Sequence, residues 1–138
     1  MKNRGNYGSQ RTHKNVVYNL GHDQFKQMFE GLPGHFFRLK KDSMGEILVV
    51  ISEGLLASKA NLTTNNIGGK KVKEVLSNLE YRNSLPYFKQ AFEGKRVNFE
   101  LGNPGNWHRT RLAPLESSQK GDVQEIVGYT VNINEYKD

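Results

Sequence analysis

The sequence predicts an α+β domain, a five-stranded antiparallel sheet with short helices on one face, and three observations carry that prediction. Two strand-like runs occupy residues 35–51, three more occupy residues 97–133, and amphipathic helical segments fill the interval between them. Strands grouped in this way pair with their neighbours as hairpins and leave the helices to cover one face. At 138 residues, with 36% hydrophobic and 25% charged residues, the chain suits one domain with a modest core.

Residues 1–20 are rich in Asn, Gly, Ser and Arg and show no periodicity, so they read as a disordered basic N-terminal segment, with the folded domain at 21–138. A helix is expected at 22–31. Asp23 suits its N-cap, and Phe25, Met28, Phe29 and Leu32 recur at helical spacing before Gly31 and Pro33 stop it. In the first strand His35, Phe37 and Leu39 alternate with Phe36, Arg38 and Lys40. After a turn at 41–45, Ile47 to Ile51 is apolar on both sides, which places that strand inside the sheet or under cover on both faces. Residues 53–79 read as short helices around a break at Asn65 to Gly69, with Val72, Val75, Leu76 and Leu79 marking one of them. A longer helix is expected from a Ser84 cap with Pro86 in its first turn to Gly94, burying Leu85, Phe88, Ala91 and Phe92. Val97, Phe99 and Leu101 alternate in the third strand; after the Asn103 to Gly105 turn the fourth runs from Trp107 to Leu115. A turn at 117–121 leads to the last strand, Val123 to Ile133.

Several stretches resemble the PAS domain family in order and spacing. Leu32-Pro33-Gly34-His35-Phe36-Phe37 resembles the family's opening, and Asn66-Ile67-Gly68-Gly69-Lys70 with Val75-Leu76 resembles the segment after its central helices. Tyr87-Phe88-Lys89-Gln90-Ala91-Phe92-Glu93-Gly94 is similar to its long helix, and Ala113-Pro114-Leu115 to the end of its fourth strand. The exit, Asn132-Ile133-Asn134-Glu135-Tyr136-Lys137, is similar to an Asp-Ile-Thr-Glu-Arg-Lys pattern in which Asn replaces both Asp and Thr. An Asn still accepts a hydrogen bond through its carbonyl oxygen, without the charge of a carboxylate. The resemblance covers about residues 22–137. It implies a sensor or interaction domain that binds a small ligand or a partner. Such a domain passes its signal through residues 132–137 to a C-terminal effector, of the histidine kinase or diguanylate cyclase type found in bacterial signal transduction.

Composition narrows the chemistry. There are no cysteines, which removes disulfides, thiolate metal sites and the thiol adduct of light-oxygen-voltage flavin photochemistry. His13, His22, His35 and His108 lack metal-ligand spacing, and the long helix carries no His for a haem iron, so no metal is expected and haem is disfavoured. The net charge of +6 divides unevenly. Lys2, Arg4, Arg11 and Lys14 face no acid in residues 1–14, and the remainder holds 16 basic against 14 acidic groups, an ordinary mixed surface rather than a nucleic-acid face. No apolar run is long enough to span a membrane, and no secretory signal opens the chain, so a cytoplasmic location is expected. No catalytic constellation stands out, and the chain is not expected to be an enzyme.

The residues expected to line a ligand cavity are Phe37, Leu39, Phe88, Phe92, Phe99, His108, Thr110 and Leu112. The wall is apolar, with one His and one Thr to hold the polar end of a small organic ligand. The alternative is a filled core in a pure homodimerisation module. Arg109 and Arg111 would clamp an anion or, as preferred here, pair with Glu100 or Glu125 on a solvated face. The last strand is apolar in both sets, Val127, Tyr129, Val131 and Ile133 against Ile126, so its outer face needs a cover. The helix bearing Phe25, Met28 and Phe29 is the expected cover, from its own chain or a second one, which makes a homodimer the leading expectation. An enzyme or nucleic-acid binder on a similar sheet ranks last.

Overall fold

The computed structural model describes residues 22–115 and 123–136. The segment at 1–20, the turn at 117–121 and Lys137 lie outside them, as do the side chains of His22 and Phe25. The elements are α1 (His22–Phe29), β1 (His35–Lys41), β2 (Ile47–Glu53), α2 (Leu55–Lys59), α3 (Thr64–Ile67), α4 (Val72–Val75), α5 (Asn78–Phe92), β3 (Val97–Asn103), β4 (Asn106–Pro114) and β5 (Glu125–Asn132), followed by a 3-10 turn at Asn134–Tyr136. The strands form one antiparallel sheet in the order β2-β1-β5-β4-β3. Among the described residues no helix is long and apolar enough to cross a membrane.

The first hairpin closes around Asp42, whose Oδ1 accepts the backbone N–H of Met44 and of Glu46, both at 2.9 Å. In β1 the alternation sets Phe37 and Leu39 into the core and leaves Phe36 and Arg38 on the outer face. β2 changes phase. Leu39 faces Val49 and Arg38 faces Ile51, so Val50 is an extra residue, a β-bulge. Before the bulge Ile47 and Val49 point inward; after it Ser52, opposite Phe37, takes the inner face and Ile51 the outer.

β2 is therefore an edge strand with both faces covered, not an inner one. On the outer face α1 packs on it and Phe29 stacks on Phe36, centroids 3.9 Å apart, where Ile51 is buried. Its free edge is closed by the α3–α4 connection, with Gly69 N–H donating to Val49 O at 2.7 Å and Val49 N–H to Lys70 O at 2.9 Å.

The long helix departs from expectation at its start. Ser77, not Ser84, is the N-cap. Its hydroxyl accepts from Glu80 N–H at 3.1 Å while the Glu80 carboxylate accepts from Ser77 N–H at 3.0 Å, a complete capping box. Ser84 is buried inside the helix, and Pro86 sits in the interior, where it withholds one helical hydrogen bond. Leu79 belongs to this helix and is exposed, so the segment marked by Val72 and Val75 shrinks to the four residues of α4. α1 ends at Phe29, two residues early, and β5 stops at Asn132.

Candidate functional site

Two faces of the sheet bear on function. On the inner face β1, β4 and β5 present Phe37, Leu39, Leu112 and Ile126 to α5, which returns Phe88, Ala91 and Phe92; Phe99 of β3 closes one side. All are buried, Phe92 to 1% exposure and Ile126 to 0%. The packing is close. A β-carbon at Gly128 would overlap the Phe37 ring and stand 2.8 Å from Leu112 Cδ2, so glycine is required there to admit the ring. Tyr87 stacks on Phe99 with centroids 4.1 Å apart and an interplanar angle of 3°. The Lys41 ammonium lies 4.9 Å from the Phe92 ring centroid.

Of the eight residues expected to line a ligand cavity, six are members of this single cluster: Phe37, Leu39, Phe88, Phe92, Phe99 and Leu112. Thr110 is buried and its hydroxyl shares a 2.7 Å hydrogen bond with that of Thr130 on β5, so its polar group is satisfied within the sheet. His108 is half-exposed beside the first turn of α5. Desolvation lowers its pKa from the ordinary value and the Glu80 carboxylate pulls the other way. Two clefts formed by described residues lie outside this layer, one on the outer sheet face and one at the end of β2.

The outer face carries cross-strand ion pairs and an apolar strip. Arg109 donates to Glu100 Oε2 through Nε at 3.1 Å and Nη2 at 2.9 Å. Glu125 is taken instead by Arg38, at 2.7 and 3.1 Å. Such partly exposed pairs contribute about 0–1 kcal/mol each and mainly neutralise the charge of the face. Between them Phe36, Ala113, Val127 and Tyr129 form the floor of a groove of about 590 Å³, bordered by Arg96, Asn98 and Arg111. Arg111 is exposed. α1 covers the β1–β2 side of this face, Phe29 on Phe36, while Met28 is 59% exposed.

The exit from β5 is pinned to the β3–β4 hairpin. Ile133 is 2% exposed and its N–H donates to Trp107 O at 2.9 Å. The Asn134 carbonyl oxygen accepts from Trp107 N–H at 2.6 Å, its amide donates to Gly105 O at 2.9 Å, and its own N–H donates to Asn132 Oδ1 at 2.9 Å. The two asparagines that replace Asp and Thr thus make neutral hydrogen bonds. Glu135 is exposed.

A polar chain at the opening of β1 has no sequence signature. His35 Nε2 lies 2.6 Å from Ser52 Oγ, and the Ser52 hydroxyl donates to Leu62 O. Its one proton is spent there, so His35 must be the donor and carries its proton on Nε2. Ser52 N–H donates to Thr64 Oγ1 at 2.8 Å, and that hydroxyl donates back to Ser52 O at 3.1 Å. Burial lowers the His35 pKa from 6.5 to about 4, so the ring is neutral. The bulge in β2 brings Ser52 inward to meet it.

No family model matches this sequence, and no curated protein does. Solved structures match in fold. The LOV protein of Rhodobacter sphaeroides superposes with a TM-score of 0.60 at 14% identity, over 86% of this chain and 71% of that one. A domain of an HTR-like protein from Haloarcula marismortui ATCC 43049 does so with a TM-score of 0.57 at 17% identity, over 73% of this chain and 98% of that one. A flavin held as in a light-oxygen-voltage domain does not fit the residues here: the layer between α5 and the sheet is filled by phenylalanines, and the sequence has no cysteine to form the adduct. With its sheet order, the helices between β2 and β3, and these likenesses, the chain has the PAS fold.

Proposed function

We propose that this chain is a sensory and interaction domain of a bacterial signalling protein. It pairs with a second copy through its outer sheet face and passes its state through residues 132–137 to a C-terminal effector of the histidine kinase or diguanylate cyclase type. The observation that carries the reading is the groove on that face: an apolar floor of Phe36, Ala113, Val127 and Tyr129 between neutralised ion pairs, with α1 over only one side of it. The apolar strip gains on burial, while Arg96 and Arg111, which border it without an ion pair among the described residues, sit at its rim, where interfaces carry their charge. The LOV likeness supports a sensory role for the fold.

The input is a partner contact rather than a ligand in the core. A molecule between α5 and the sheet would have to displace rings such as Phe37 and Phe92, each contributing roughly 2 kcal/mol by its burial. Sedimentation of the wild type and of Val127→Asp tests the proposal. A dimeric wild type and a folded monomeric variant are expected; a monomeric wild type, or a variant that stays dimeric, refutes the shared surface. Native mass spectrometry of the same sample tests the input, because a stoichiometric extra mass lost on denaturation would restore the ligand reading.

A further inference from the structure

The cleft where β2 ends has the composition of a cation site, separate from both the dimer face and the filled inner layer. It is lined by Glu30 after α1, Glu53 and Gly54 at the end of β2, Ser58 of α2, and Thr63 and Asn65 at the start of α3, around about 310 Å³. Glu53 is 1% exposed. Its single hydrogen bond among the described residues is a long one, Thr64 N–H to Oε2 at 3.4 Å. No ion pair among the described residues reaches Glu53 or Glu30. A carboxylate has room for several donors, and burying one with so little compensation destabilises the fold. The Thr63 hydroxyl donates to Asn66 Oδ1 at 2.6 Å, which leaves its own oxygen free to accept.

The wall of the cleft is held in place. Gly54 has φ 119°, and a β-carbon there would overlap Gly34 O. Leu55 N–H donates to Leu32 O at 2.8 Å and Leu56 N–H to Gly34 O at 3.0 Å, so the start of α2 is fixed against the α1–β1 connection. The buried carboxylate is thus presented by constrained backbone to a cleft whose lining side chains, Glu30, Ser58, Thr63 and Asn65, each carry an oxygen able to accept.

We propose that this cleft binds a small organic cation, a primary ammonium or guanidinium head that donates to Glu53 Oε1 and to the oxygens of Glu30, Ser58 and Asn65. Two observations favour an organic head over a metal ion. The volume reaches the roughly 300 Å³ at which small-molecule sites begin. The described residues hold no group of three or more His, Asp or Glu able to enclose an ion, whereas calcium takes roughly six to eight oxygens. Occupancy would tie Glu30, at the end of α1, to β2, α2 and α3.

The test is amide NMR of the full chain, titrated with n-propylammonium chloride and with methylguanidinium chloride at constant ionic strength, against sodium chloride and calcium chloride. Saturable shifts at Glu53, Gly54, Ser58 and Asn65 with at least one organic cation are expected, weakened by about tenfold or more in Glu53→Gln. Shifts that never saturate, equal binding by Glu53→Gln, or saturation by calcium but neither organic cation would each overturn the proposal. Without added cation, Glu53→Gln should melt above the wild type because it removes a poorly compensated buried charge. A lower melting temperature overturns the proposal by making that carboxylate a structural group.

Discussion

Lowering the pH should destabilise this domain through one imidazole. His35 is neutral in the fold, with a pKa of about 4, against 6.5 as the ordinary value it regains on unfolding. Between those values the unfolded chain binds a proton that the native state refuses, so stability is complete above about pH 6.5 and falls as the pH drops towards 4. The full shift corresponds to about 3 kcal/mol, of which about 2 kcal/mol is lost by pH 5. Against a total of roughly 5–15 kcal/mol for a domain, that is a large share. Urea unfolding of the wild type and of His35→Gln, at about pH 7.5 and pH 5, isolates this contribution from that of the carboxylates. Glutamine keeps an N–H near the position of Nε2 for Ser52 but has nothing to titrate. Its loss of stability between the two pH values should be smaller than the wild type's by about 2 kcal/mol. Equal losses in the two proteins would refute the assignment. A proton on Nδ1 in long-range nitrogen NMR would refute the tautomer derived from Ser52.

Two further outcomes follow from the packing and the cap. Gly128→Ala should cost about 1–3 kcal/mol in urea unfolding, because the new methyl meets the Phe37 ring and Leu112, whereas the same change at the open Gly69, exposed but at φ 84°, should act only through backbone strain. Ser77→Ala should cost about 1 kcal/mol by removing half of the capping box, and Ser84→Gly should reveal no cap effect; a loss of hydrogen-exchange protection at the Glu80 amide, whose N–H donates to the Ser77 hydroxyl, would accompany the first change alone.

What the sequence made legible was governed by period. Phe37 and Leu39 in β1, Phe99 in β3, and Phe88, Ala91 and Phe92 in α5 fall where their spacing puts them, because each repeats against one continuous core. The start of α5 was hidden for the opposite reason. Of its first turns, Asn78 to Asn83, only Tyr81 packs against the core while Leu79 is exposed, so the helix starts on its capping box with no apolar stripe to mark it, and Ser84 with Pro86 mimics a start. The bulge at Val50 was equally hidden, since an unbroken apolar run carries no phase to interrupt. Everything downstream of that bulge was therefore illegible: Ser52 meeting His35, Ile51 turned outward beneath α1, and Glu53 brought to a cleft whose other walls come from three separate stretches of chain. The asparagines of the exit were visible as substitutions, but their partners, Trp107 and Gly105, are brought to them by the β4–β5 register.

On the proposed function, the register gives an input at α1 a route to the exit. β1 and β5 are direct neighbours, with His35 opposite Thr130 and Phe36 opposite Tyr129, while β4 places His108 opposite Asn132. The Tyr129 hydroxyl donates to Pro33 O at 3.3 Å, and Gly34 lies so close to Thr130 O that a β-carbon there would stand 2.7 Å from it. The α1–β1 connection is thus packed on the second half of β5, four to five residues before the Asn134 clamp. Under that proposal a shift of α1, whether from a second copy over Phe29 and Met28 or from a cation drawing Glu30 towards Glu53, would bear on this packed connection. It would press on Pro33 and Gly34, and through them on the strand that leads into residues 132–136. The proposed route runs over the outer face and the β1–β5 pairing, so it needs no opening of the packed phenylalanine core beneath.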